Sequence, residues 1–279
     1  MRISELYESG RRALENAGVE NFRNEARWIF EAVFECGREY LVFNSSNDAD
    51  SEKEEIYLQK IRHRANGFPV QYVIGSWNFY GETYAVGEGV LIPRPETELL
   101  VDFALDYLKD KTNPVVYDLC SGTGCIGLSV ARNKPDAQVV LFEKSPEALV
   151  FLNRNVESSN CRNVRVICGD VLLGSDFYDL PKPDLVLSNP PYIESGDIES
   201  LQSEVHYEPV MALDGGSDGM VFYNAISEKW IEECSAVAVE CGEGQADFII
   251  KLFSQRFANV YSMKDFNGTE RVVIGRERK

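Results

Sequence analysis

From Val115 onward, short β-prone runs alternate with helix-patterned stretches, and that alternation leaves few folds open. Val115–Leu119, Val139–Glu143, Val164–Cys168, Asp184–Ser188 and Ala236–Val239 are predicted strands, with two further β-prone runs around Val260–Met263 and Val272–Ile274. Strands separated by helices pair in parallel through right-handed crossovers. The expectation is therefore an α/β fold built on an open, doubly wound sheet. Ligands of such sheets bind beyond the carboxyl ends of the strands, so residues at those ends carry the search for function.

The first strand runs into Asp118-Leu-Cys-Ser-Gly-Thr-Gly-Cys-Ile-Gly127, and Glu143 closes the second. Gly122, Gly124 and Gly127 fit G-x-G-x-x-G, and an acid about twenty residues on fits an acceptor for ribose hydroxyls. This pattern alone serves NAD and S-adenosyl-L-methionine equally. Two strand-end acids favour the latter. Asp118 is placed to attract the ammonium of a methionine moiety, which NAD lacks, and Asp170, just after the third strand, to approach an adenine.

The fourth strand ends in Ser188-Asn-Pro-Pro-Tyr192. Prolines fix φ and remove N–H donors, so this loop is stiff and offers carbonyls. The side-chain oxygen of Asn189 and the carbonyl of Pro190 can together take both hydrogens of a planar –NH2 group, with Tyr192 stacked on its plane. Such a nitrogen has a delocalised lone pair and is a poor nucleophile. Oriented acceptors hold it toward an electrophile and stabilise the positive charge that develops, and positioning of this kind supplies roughly 7–11 kcal/mol in favourable cases.

Ahead of the sheet, Ser4 to about Ala65 is helix-patterned, with Leu6, Leu14, Ala26, Ile29, Phe30, Val33, Ile56 and Ile61 as the apolar face and Asp50-Ser51 as a helix cap. We read residues 1–70 as a small helical domain, a docking platform to which Lys60, Arg62 and Arg64 contribute or else a structural appendage. Residues 71–92, with alternating aromatic and β-branched positions around Gly81, Gly87 and Gly89, are predicted to form a linking hairpin, and 93–279 the sheet domain. In Leu91-Ile-Pro-Arg-Pro-Glu-Thr-Glu98, Pro95 suits the first turn of a helix and Glu96 and Glu98 favour its dipole. Arg94, between two prolines, is a candidate for the active site.

Composition removes several alternatives. The formal charge is −17; residues 1–75 hold 10 Lys+Arg against 13 Asp+Glu, so the acidity is concentrated in the sheet domain. That balance argues against nucleic acid as the direct partner. The 7 Cys are odd in number without a C-x-x-C pair, and with only 2 His neither a disulfide framework nor a metal site is suggested. Cys120, Cys125, Cys161 and Cys168 are expected to be small core residues, and His63 a solvated one. No apolar run has membrane-spanning length and the first residues carry charges, so a cytoplasmic location is expected.

The chain resembles the release factor glutamine N(5)-methyltransferases of the HemK type. The residues that carry this likeness are Pro69-Val-Gln-Tyr-Val-Ile-Gly75, Ile92-Pro-Arg-Pro-Glu-Thr-Glu98, Asp118–Gly124, Ser188–Tyr192 and Glu208-Pro-Val-Met-Ala-Leu-Asp-Gly-Gly216 with Asp218-Gly219. The resemblance implies a seven-stranded class I, Rossmann-like methyltransferase sheet behind an N-terminal helical domain. It implies methyl transfer from S-adenosyl-L-methionine to the glutamine amide of the Gly-Gly-Gln motif of peptide chain release factors. The cofactor would be held by Asp118, Ser121, Gly122, Thr123, Gly124, Glu143, Asp170 and Asn189, and the substrate by Asn189, Pro190, Pro191, Tyr192 and Arg94; Asn189, Pro190 and Tyr192 would be catalytic. Glu143-Lys144 departs from the family's usual aspartate followed by an apolar residue.

Four other functions share part of this pattern. A DNA adenine amino-methyltransferase poses the same chemical problem but needs a basic groove and a base-flipping device. A sister enzyme methylating glutamine in a ribosomal protein differs only in detailed motifs. An NAD oxidoreductase needs a hydride partner that the sequence does not present, and a noncatalytic cofactor-binding adaptor would leave Asn189 without a purpose.

Overall fold

The computed structural model describes all 279 residues. They divide into two compact units, Met1–Trp77 with Gln202–Tyr207, and Asn78–Leu201 with Glu208–Lys279.

The first unit is helical: α1 (Ile3–Asn16), α2 (Phe22–Phe34), α3 (Glu39–Phe43), α4 (Ser51–Ala65) and α5 (Val70–Ile74). Apolar residues at helical spacing, Leu6 and Leu14 from α1, Ala26, Ile29 and Phe30 from α2, Tyr57 and Ile61 from α4, and Val70 and Val73 from α5, form its core. The cap of α4 is as expected, the Asp50 carboxylate accepting the N–H groups of Glu52 and Lys53. Its buried face is rotated from the expected one: Ile56 is exposed and Tyr57 fully buried. The Tyr57 hydroxyl reaches the carbonyl of Ala26, so the ring enters the core without stranding its polar end.

The basic cluster is rearranged more strongly. Arg64 is buried, paired with Glu25 and with Glu204, which belongs to the same unit. Lys60 donates to the Val73 carbonyl at the end of α5. Of the three cations only Arg62 lies on the surface without such a role. The expected hairpin over 71–92 is also shorter: its first residues form α5, and β1 (Ser76–Phe79) and β2 (Glu82–Ala85) turn at Tyr80-Gly81, both at positive φ.

In the second unit the elements after the hairpin are a 3-10 turn at Pro95–Thr97, α6 (Glu98–Leu108), β3 (Val115–Leu119), α7 (Cys125–Asn133), β4 (Gln138–Glu143), α8 (Pro146–Ser159), β5 (Val164–Cys168), β6 (Leu185–Ser188), α9 (Val221–Lys229), β7 (Ala236–Glu240), α10 (Ala246–Phe253), β8 (Phe257–Lys264) and β9 (Glu270–Arg278). All seven expected strands form one sheet in the order β5-β4-β3-β6-β7-β9-β8. β3 to β7 run parallel, and β9 is antiparallel to both β7 and β8.

Alternate residues of each central strand enter opposite layers. Val116, Leu185, Leu187, Ala236 and Ala238 pack toward α6, α7 and α8. Val115, Tyr117, Val186, Val237 and Val239 pack toward α9 and α10. Burial on both faces is why these strands read as continuous apolar runs. The strand order reverses between β3 and β6, where Leu119 pairs with Ser188, so the glycine loop and the Asn-Pro-Pro-Tyr segment emerge side by side.

Candidate active site

A cleft enclosing about 890 Å³, the open solvent at its mouth included, lies at this reversal. Its floor is the turn after β3. Ser121 anchors that turn, its hydroxyl donating to the carbonyls of Asp118 and Phe142, and Cys120 and Gly122 hold positive φ. At Gly127 the requirement is space: a Cβ would stand 2.2 Å from Leu141 Cδ2 and 3.0 Å from Asp118 Oδ2. Helix α7 thereby packs close to the sheet, with its first turn behind the loop.

Glu143 and Asp170 mark the tips of β4 and β5. Oε2 of Glu143 accepts the Gly122 N–H at 2.8 Å, and Oε1 accepts those of Lys144 and Ser145. The longer side chain thus clamps two loops while Oε2, which accepts a single bond, keeps a lone pair for a ligand hydroxyl. Asp170 is ion-paired with Lys144 at 2.8 Å. Partial burial would raise its carboxyl, but the Lys144 ammonium and the Leu172 N–H outweigh it and hold it below the usual range.

The opposite wall is the segment Gly89–Arg94. Its conformation depends on Glu208, nearly fully buried, whose carboxylate accepts the Ile92 N–H and pairs with the Arg94 guanidinium. Arg94 therefore faces the cleft while holding its wall. Glu208 belongs to the Glu208–Gly216 stretch quoted above, but nothing in its sequence context announced this partner.

At the fourth strand's end, Asn189 lines the cleft together with Pro191. The loop beyond is pinned by a bridge between Ile193 and Asp214. Gly215 makes that approach possible, since a Cβ there would lie 2.8 Å from the Tyr192 Cα and 2.9 Å from the Pro191 carbonyl oxygen.

Of the twelve candidate residues, Arg94, Ser121, Gly122, Thr123, Glu143, Asp170, Asn189 and Pro191 line the cleft. Asp118, Gly124, Pro190 and Tyr192 are not among its lining residues, although Pro190 stands in the chain between two that are. Asp118 is fully buried: Oδ2 accepts the Gly127 N–H, and Oδ1 has no partner. Burial, against the Gly127 N–H and with help from Glu143, pushes its carboxyl up to about 7. It supports the loop from beneath and is not among the residues that line the cleft. Tyr192, expected to stack on the substrate amide, instead packs into the core beneath α9 and α10, its hydroxyl turned toward Glu240.

The cysteines divide differently from the expectation. Cys125 is buried but Cys168 is exposed, while Cys120 lines the cleft. Burial pushes the Cys120 thiol well above its ordinary value, which leaves it no thiolate chemistry near neutrality.

The wall fits S-adenosyl-L-methionine. Two carboxylates at adjacent strand tips suit a ribose diol and an exocyclic amine, and Phe142, Ile126, Ala148, Val171 and Leu91 provide apolar surface for a base and an alkyl chain.

Comparison with known proteins agrees with this reading. Residues 5–75 match the PrmC N-terminal domain and residues 97–221 the Methyltransferase small domain. A release factor glutamine methyltransferase from Geobacter sulfurreducens is 37% identical, the match covering 98% of this chain and 96% of that one. The chain belongs to the release factor glutamine methyltransferase family. A member from Clostridium acetobutylicum is 31% identical over 98% of both chains. The hMettl16 catalytic domain, solved with a MAT2A 3'UTR hairpin, shares the fold with a TM-score of 0.56 at 14% identity, over 81% of this chain and 82% of that one. As the family implies, the chain is a protein-glutamine N-methyltransferase that uses S-adenosyl-L-methionine. No helix is long and apolar enough to cross a membrane.

Proposed function

We propose that the substrate is the glutamine of the Gly-Gly-Gln motif in peptide chain release factors, methylated on its side-chain nitrogen. The single observation that carries this reading is Asn189 at the strand reversal, its side chain in the wall of a cleft whose other end holds Glu143 and Asp170. The bound cofactor supplies an electrophilic methyl on a sulfonium. Asn189 Oδ1 accepts one hydrogen of the glutamine amide, and the carbonyl of Pro190 accepts the second. With both hydrogens held, the nitrogen lone pair would be turned toward the methyl that the cofactor would supply, its thioether would be the leaving group, and the displaced amide proton would pass to solvent.

Charge supports a protein substrate over DNA. The second unit carries most of the net −17, and its cleft shows Arg94 and Lys144 already paired with Glu208 and Asp170. A polyanion finds no free cation in that wall.

Incubation with isotopically labelled cofactor and a release factor, followed by mass spectrometric location of the methyl, tests the proposal. Label on the glutamine of Gly-Gly-Gln is the expected result. Label confined to a ribosomal protein in a cell extract, with the release factor unmodified, would transfer the activity to the sister reaction.

A further inference from the structure

Asn189 is tied to a buried carboxylate through one hydroxyl. Its Nδ2 donates to Thr97 Oγ1 at 3.3 Å, and the Thr97 hydroxyl donates to Glu240 Oε2 at 2.5 Å. Thr97 and Glu240 are each almost fully buried, at 2% and 3% exposure, so neither bond is shared with bulk solvent. The three residues come from the turn before α6, the end of β6 and the end of β7. No sequence spacing connects them.

An amide side chain has two similar ends, and only one serves as an acceptor for a substrate –NH2 group. We infer that Glu240 and Thr97 form an orienting pair, positioning residues that keep the Asn189 oxygen, and not its nitrogen, directed at the substrate. The inference rests on the reading of Asn189 proposed above. Once ionised, which burial delays to about pH 7, the Glu240 carboxylate has acceptors only, and the Thr97 hydrogen is then committed to it. What Thr97 can then present to Asn189 is a lone pair, which selects the –NH2 arm. The flipped amide would set two acceptors against each other at Thr97 and two donors against each other at the substrate.

Thr97→Val removes the hydroxyl at nearly constant volume, and Thr97→Ser returns it. In the full-length enzyme with cofactor and release factor, Thr97→Val should lower kcat about tenfold, the scale of one net hydrogen bond lost from the reacting geometry. KM for the protein and cofactor affinity by calorimetry should stay within about twofold, because those contacts lie elsewhere, and Thr97→Ser should recover most of kcat. With asparagine labelled at its side-chain nitrogen, the Asn189 –NH2 resonance, identified by its absence in Asn189→Ala, should move in Thr97→Val and return in Thr97→Ser. An unshifted resonance overturns the inference. Loss of activity in Asn189→Ala with wild-type kcat in Thr97→Val removes the orienting pair alone. Wild-type kcat in Asn189→Ala removes the role of Asn189 and this inference with it.

Discussion

The N–H of Gly122 donates to Glu143 Oε2 at 2.8 Å, joining the turn after β3 to the tip of β4. The acid therefore shapes the floor of the cleft as well as offering a ligand acceptor. Glu143→Ala should weaken S-adenosyl-L-methionine by about 1–3 kcal/mol, the scale of a lost hydrogen bond to a charged group. It should also speed hydrogen exchange at the Gly122 amide in the free enzyme. Calorimetry showing unchanged affinity would remove Glu143 from the ligand contacts.

Asn189→Ala should reduce single-turnover methyl transfer by about two to three orders of magnitude, as for other preorganised polar groups. Release factor affinity should change far less, because most of that contact lies away from the chemistry. Asn189→Asp is the sharper variant. It sets a second carboxylate beside Thr97, whose one hydrogen is already given to Glu240, and it attracts a cationic cofactor in the ground state as well as the transition state. Cofactor should bind at least as well and the methyl should still transfer slowly.

Stability should fall as pH rises through neutrality. Asp118, held up by burial, titrates near 7 in the folded chain against an ordinary value of 3.8, and Glu240, also raised by burial, near 7 against 4.5. Carboxyls raised on folding leave full stability below their unfolded values, and that contribution is lost as pH climbs through the folded ones. Asp118→Asn keeps an acceptor for Gly127 and removes one of the two titrations. Thermal melts between pH 5 and 8 should show a shallower decline in the variant and a higher Tm at pH 8; an unchanged slope would assign the dependence elsewhere.

Arg64→Ala should destabilise the helical unit by about 3–5 kcal/mol, since it leaves the buried Glu25 carboxylate without its main partner. Arg62→Ala, on the solvent face, should stay within about 0.5 kcal/mol. Urea unfolding followed through Trp28, which packs edge-on against Trp77 in the same unit, reads both. Equal effects of the two variants would contradict the buried role of Arg64.

With Lys60 and Arg64 committed internally, a docking role for the helical unit has to rest on other surface. Val42 and Phe43 of α3 are 71% and 80% exposed. Phe43→Ala should raise KM for the release factor several-fold while leaving cofactor affinity unchanged, because apolar anchors of this size dominate protein contacts. Steady-state titration with full-length release factor reads it; an unchanged KM would move the docking surface away from α3.

The sheet was legible because its signals are local. Each strand is a run of β-branched or apolar residues bounded by turn formers, and each keeps its place in the structure. Gly127 and Glu143 were legible for a related reason, as the turn after a strand permits few solutions. What escaped was tertiary. The Ile56–Tyr57 exchange depends on a carbonyl of another helix meeting the tyrosine hydroxyl. Asp118 and Tyr192 stand at strand ends, yet the side chain of each turns away from the cleft, and strand position alone does not report direction at a loop. Glu208, Thr97 and Glu240 matter through partners 92 to 143 positions away along the chain, as in the Thr97–Asn189, Ile92–Glu208 and Thr97–Glu240 bonds, and no periodicity encodes such pairs.

Gly215 extends the reach of the acceptor loop to a position outside the cleft lining. The Pro191 and Tyr192 backbone occupies the volume a methyl group would need there, so the tolerance of the Asn189 position is set by a residue 26 places downstream. A lineage that replaced this glycine would have to rebuild the Asn-Pro-Pro-Tyr turn at the same time. Two segments that look independent on paper are, for the purposes of change, a single inherited part.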